Sequence, residues 1–179
     1  MTALPAAYRW LTTLDPLPRT IAEALKLFGT VEVPGAANSP IIMGWADEVG
    51  GAVDRAYSAD SIPWCGLFAA VVAKRAGKAL PASPLWALSW ATFGTPSPQA
   101  SLGDVLVFKR NGGGHVGFYV GEDATAYHVL GGNQSDRVCI TRIAKARLHA
   151  ARRPDYRNQP ATVTPRHLAA AGALSRNEA

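Results

Sequence analysis

Cysteine is scarce in this chain: its 179 residues include only Cys65 and Cys139. Two thiols are too few for a disulfide scaffold, so a packed core must hold the fold. Charged residues are also sparse, at 17% against 48% hydrophobic, the balance of a globular protein. No apolar run approaches the ~20 residues that cross a bilayer. The opening Met1-Thr2-Ala3-Leu4-Pro5 lacks a basic segment followed by an apolar one. No Sec-type leader is therefore expected, and work outside the cytoplasm would need another exit route. Internal repeats are absent, as are nucleic-acid recognition motifs. Spacings of 50, 13 and 11 residues along Cys65, His115, His128 and Cys139 lack the close ligand pairs of common zinc motifs. Neither a metal nor a cofactor is expected.

The net charge of +5 is unevenly placed. Residues 1–141 carry 10 Lys/Arg against 11 Asp/Glu, whereas residues 142–179 carry 8 against 2. The surplus includes Arg142, Lys145, Arg147, Arg152 and Arg153, and it either draws the protein toward an anionic polymer or forms an unspecific solvated face.

The apolar pattern changes period along the chain. Thr20-Ile21-Ala22-Glu23 has the form of a capping box, with Ile21, Leu25 and Phe28 on one helical face. Ser39-Pro40 opens a second helix with an Ile42, Trp45, Val49 stripe. A third helix, from about Pro63 to Ala76, is apolar nearly all round and is predicted to be the buried central one. Residues 80–102 are rich in Pro, Ser and Trp, with at most a short helix near Leu85–Trp90. Strands are then predicted over 104–108, 115–120, 125–130 and 137–141, with a fifth near 146–152. Helices first and an antiparallel meander second indicate an α+β fold. Residues 1–17 read as an N-terminal extension and 18–154 as the domain. Residues 155–179 read as a weakly ordered tail with a possible short helix over 165–174.

Two stretches bear chemistry. In Pro63-Trp64-Cys65-Gly66-Leu67-Phe68 a cysteine sits at the mouth of the apolar helix, where unpaired N–H groups and the positive dipole end favour thiolate. The alternative is a core cysteine among Trp64, Leu67 and Phe68. In Gly112-Gly113-Gly114-His115-Val116-Gly117 a histidine opens a strand. Strand alternation puts His115, Gly117 and Tyr119 on one face and Val116, Phe118 and Val120 on the core face. A thiol and an imidazole are the parts of a cysteine hydrolase. A third group must orient the ring, and two candidates follow: His128 and Asn133. Each also has a plain reading, His128 as a packed strand residue and Asn133 as a turn residue. Cys139 reads as a small buried apolar residue. Trp64, Trp86 and Trp90 are core fillers or sugar-stacking walls.

These motifs together resemble the NlpC/P60 and CHAP superfamily of papain-like cysteine peptidases and amidases, and more closely a phage-associated CHAP-like group. The matching pieces are Glu32-Val33-Pro34-Gly35, Asn38-Ser39-Pro40-Ile41-Ile42, Pro63-Trp64-Cys65-Gly66, Leu102-Gly103-Asp104-Val105, His115-Val116-Gly117-Phe118-Tyr119 and Gly131-Gly132-Asn133-Gln134-Ser135. They cover roughly residues 18–154. The resemblance implies a papain-like fold, the Cys-bearing helix packed on a meander of about five strands. It implies Cys65 as nucleophile, His115 as general base and Asn133 as the orienting residue, with His128 in that place in many NlpC/P60 members. It implies a monomeric hydrolase that cleaves an amide bond of peptidoglycan, the wall being reached by export, lysis or virion delivery. The alternatives are a wall-binding or virion module with a dead site, and an amidase-type effector acting on a protein.

Overall fold

The computed structural model describes residues 2–35, 37–170 and 172–176. After a 3-10 helix at Ala6–Thr12 come four α-helices: α1 (Arg19–Lys26), α2 (Pro40–Val49), α3 (Ala52–Ala56) and α4 (Cys65–Arg75). A second 3-10 helix, Ala87–Thr92, precedes the strands β1 (Thr95–Pro96), β2 (Val105–Arg110), β3 (Gly113–Glu122), β4 (Ala126–Gly131), β5 (Cys139–Ala144) and β6 (Leu148–Arg153). The strands form one open antiparallel sheet in the order β1-β6-β2-β3-β4-β5. The chain is thus an α+β protein with the predicted meander in β2–β5. The fifth strand expected near 146–152 is β6, which returns to pair with β2 rather than extending the meander.

Helix α4 is the buried centre: every residue from Cys65 to Ala73 is buried. An all-round apolar sequence can be accommodated only where neighbours cover each side. Here α1 and α2 flank it, and the Val116, Phe118, Val120 face of β3 joins the same core. The opposite face of the sheet carries a smaller cluster that includes Leu106, Phe108, Tyr119 and Val129. The two-residue alternation read from β3 is therefore the alternation between two cores.

Several local expectations are corrected. Thr20 does not cap α1: the residue preceding the helix is Pro18, and the Thr20 hydroxyl donates instead to the carbonyl of Gly103. Ser39 does cap α2, accepting from the Ile42 N–H with Pro40 in the first helical position. Residues 6–12 are more than an extension, because Tyr8 and Leu11 enter the main core. The described part of the tail contains no helix over 165–174. It runs extended, with parallel bridges pairing His167 with Glu122 and Leu174 with Arg142.

The C-terminal basic residues are mostly internal ties rather than a solvated face. Arg142 pairs with Asp123 at 2.7 Å, Lys145 with Glu122 at 2.5 Å, and Arg153 with the buried Asp104 at 3.0 Å. Arg152 donates to the carbonyls of Phe93 and Gly94.

Candidate active site

The loop leading into α4 is tied to two earlier segments. The buried Asp60 carboxylate accepts the backbone N–H groups of Val33 (3.2 Å) and Ser39 (2.7 Å). The side-chain oxygen of Asn38 accepts the N–H of Asp60. The Trp64 indole N–H donates to Glu32 at 2.9 Å. Turn 32–35, the start of α2 and the entry to α4 are therefore one hydrogen-bonded assembly. Buried polar groups left unpaired are costly, so this assembly fixes where α4 begins.

Cys65 is the first residue of α4 and is only 3% exposed. The backbone N–H groups of Val116, Gly66 and Cys65 itself lie near its thiol, and the charge of Arg110 acts on it. These favour thiolate, but burial outweighs them and pushes the thiol pKa up. The low thiol pKa expected from the helix end is thus overridden by desolvation, and the resting group is a protonated thiol.

Gly66 is required sterically. A Cβ there would lie 2.4 Å from the Leu85 carbonyl oxygen and 2.6 Å from that of Pro84. Segment 84–85 thus rests directly on the first turn of α4. Leu88, in the following 3-10 helix, packs against Gly114, where a Cβ would meet its Cδ2 at 2.6 Å. One short stretch therefore covers both the start of α4 and the start of β3.

His115 is fully buried, its ring stacked on Phe108 with centroids 6.5 Å apart. The backbone N–H of Val116, the residue after this histidine, bears on the Cys65 thiol. The ring's Nε2 lies 3.1 Å from Gln134 Oε1. Gln134 itself is held by its amide nitrogen, which donates to the carbonyls of Val129 (3.2 Å) and Cys139 (2.7 Å). Two carbonyl partners require the NH2 group on that side, so Oε1 must be the atom facing the ring. The oxygen can only accept, which puts a proton on Nε2, so that in a neutral ring the lone pair is on Nδ1. Gly131 makes room for this pair, since a Cβ there would sit 2.7 Å from Gln134 Oε1 and 3.2 Å from His115 Nε2. At Gly132 a Cβ would instead strike Phe68 and Trp64.

Of the two expected orienting residues, Asn133 stands beside Gln134 in the same turn and His128 is engaged with other groups. Asn133 is buried and takes the left-handed turn, φ 54°. His128 has both ring nitrogens engaged: Nδ1 lies 2.8 Å from the Tyr8 hydroxyl, and Nε2 faces Asp123 at 3.0 Å. Sequence reading passed over Gln134 although it stands in the quoted 131–135 motif. The signal was the paired glycines before it, which mark a close approach of side chains from both faces. Cys139 is partly rather than fully buried, and its carbonyl accepts from the Gln134 amide nitrogen.

Of the three tryptophans, Trp64 and Trp90 are fully buried core residues. Trp86 is 62% exposed and lines a cavity of about 320 Å³ with Val53, Pro84 and Leu85. Among the described residues no cluster of metal-ligating side chains occurs and no helix is long and apolar enough to cross a membrane. Comparisons with family models, curated proteins and solved structures gave no match to this chain.

Proposed function

We propose that the chain is a cysteine hydrolase of the papain-like NlpC/P60–CHAP type, cutting a peptidoglycan amide bond as an endopeptidase or N-acetylmuramoyl-L-alanine amidase. The observation that supports it best is the thiol of Cys65, at the start of α4, under the influence of the backbone N–H of Val116, the strand residue next to a histidine whose Nε2 faces Gln134. In this reading His115 is a base that takes the proton of a resting thiol, not half of a preformed ion pair. Thiolate attack on the amide carbonyl gives an oxyanion at the start of α4, within reach of the Cys65 N–H. His115 then delivers the proton to the leaving amine, and water hydrolyses the thioester. Gln134 replaces Asn133 as the orienting group, and Trp86 supplies the one exposed indole face near the entry to α4.

The burial of the thiol favours a second reading, a wall-binding or virion module whose site does no chemistry. Loss of turbidity of purified cell walls separates the two. Wild type lyses them, whereas Cys65→Ala and His115→Ala each lose about 10³-fold or more in rate, as in triad knockouts. Near-wild-type lysis by either variant, or no lysis by wild type, overturns the hydrolase.

A further inference from the structure

Arg110 ends β2 opposite Gly113 and is partly buried, unlike its exposed neighbour Lys109. Its Nε donates to the carbonyl of Gly114 at 3.3 Å, which fixes the guanidinium beside the residue that delivers His115. Among the described residues no carboxylate pairs with it, whereas Arg75, Arg142 and Arg153 each hold an acid. A guanidinium anchored through Nε keeps both terminal nitrogens as a fork that matches a carboxylate. Its charge is also felt at Cys65, so it belongs to the same small region as the thiol.

We infer that Arg110 is a specificity residue of this site, binding a free carboxylate that the substrate carries beside the scissile amide. This rests on the hydrolase reading above and narrows its substrate to amides flanked by an acid group. The carboxylate accepts from the two terminal nitrogens, and the amide is thereby drawn to the first turn of α4. A neutral carboxamide at that place lacks the charge and meets a donor fork with its own donors, so it binds poorly.

The test uses the full chain on purified cell walls, untreated and after carbodiimide coupling of their carboxylates to ammonia. Released amines are counted at high salt, which screens general attraction between a basic protein and an anionic wall. Wild type is expected to lose about 10- to 100-fold on the amidated walls, the range of a charge-assisted hydrogen bond. Arg110→Gln is slow on both and nearly indifferent to amidation, and Arg110→Lys recovers part of the discrimination. A general loss of thiol reactivity lowers both rates and leaves their ratio intact, so the ratio is the readout. Equal wild-type rates on the two walls, or an unchanged ratio in Arg110→Gln, overturns Arg110 alone. No amine release by wild type from untreated walls overturns the hydrolase reading and this one with it. If Arg110→Gln fails to fold, as judged by its thermal melt, the Arg110→Lys ratio decides: a value equal to wild type overturns the assignment.

Discussion

Gln134 turns its side-chain oxygen toward Nε2 of His115 at 3.1 Å, because its nitrogen is committed to two backbone carbonyls. The imidazole is thereby presented with a defined tautomer and ring plane.

Replacing Gln134 by Ala frees the ring to rotate and to exchange tautomers. The expected outcome is a kcat lower by about 10- to 100-fold with KM little changed, and a shifted pH–rate profile. Asn133→Gly keeps the left-handed turn and serves as the comparison. If Asn133→Gly lowers kcat more than Gln134→Ala does, the orienting role returns to Asn133.

The thiol of Cys65 is held above its ordinary range by burial, against the backbone N–H groups and Arg110. Iodoacetamide labelling is therefore expected to be slow at neutral pH and to rise through alkaline pH, without the plateau below pH 7 that a preformed ion pair gives. Cys139, also raised by burial, is removed as Cys139→Ser so that one thiol is followed. Fast labelling at pH 6 contradicts this account.

At Gly66 even one methyl group collides with backbone. Gly66→Ala has to push segment 84–85 away, at a cost of about 1–3 kcal/mol, typical of overpacking. A thermal melt compared with that of Gly44→Ala, at a helical glycine with open space around its Cβ position, measures it. Equal melting temperatures would show that the cover moves freely.

Asp123 carries an acid-sensitive part of the stability. Arg142 foremost, with the Thr125 N–H and His128, holds its carboxyl well below the usual carboxylate range. A depressed folded-state pKa stabilises above the unfolded value, ~3.9, and that contribution fades as pH falls below it. The melting-temperature gap between wild type and Asp123→Asn is therefore expected to be full at pH 6 and to narrow progressively below about pH 4. A constant gap from pH 6 to pH 2 contradicts this account.

The sequence made some of this legible and hid the rest for physical reasons. The central helix and the β2–β5 meander announce themselves because apolar periodicity is local, and Ser39-Pro40 specifies a helix start wherever it stands. Thr20-x-x-Glu23 misled because its hydroxyl found a better partner, the Gly103 carbonyl, 83 residues away. Position along a strand brought Cys65 and His115 into one hypothesis, but it gave no sign that desolvation would raise the thiol. Strand spacing left Asn133 and His128 as the choices, since the approach of Gln134 to the ring depends on backbone angles in the 131–135 turn that sequence does not print. The basic surplus looked like a surface feature until its partners, scattered from Asp104 to Asp123, were placed beside it.

The stretch that includes Pro84, Leu85 and Leu88 lies on the helix of the sulfur with its carbonyls and on the strand of the imidazole with a leucine. The start of that helix and the start of that strand therefore share one cover. Cover is in this way a joint property: a change at Trp86 or its neighbours bears on the first turn of the helix and the first residues of the strand together.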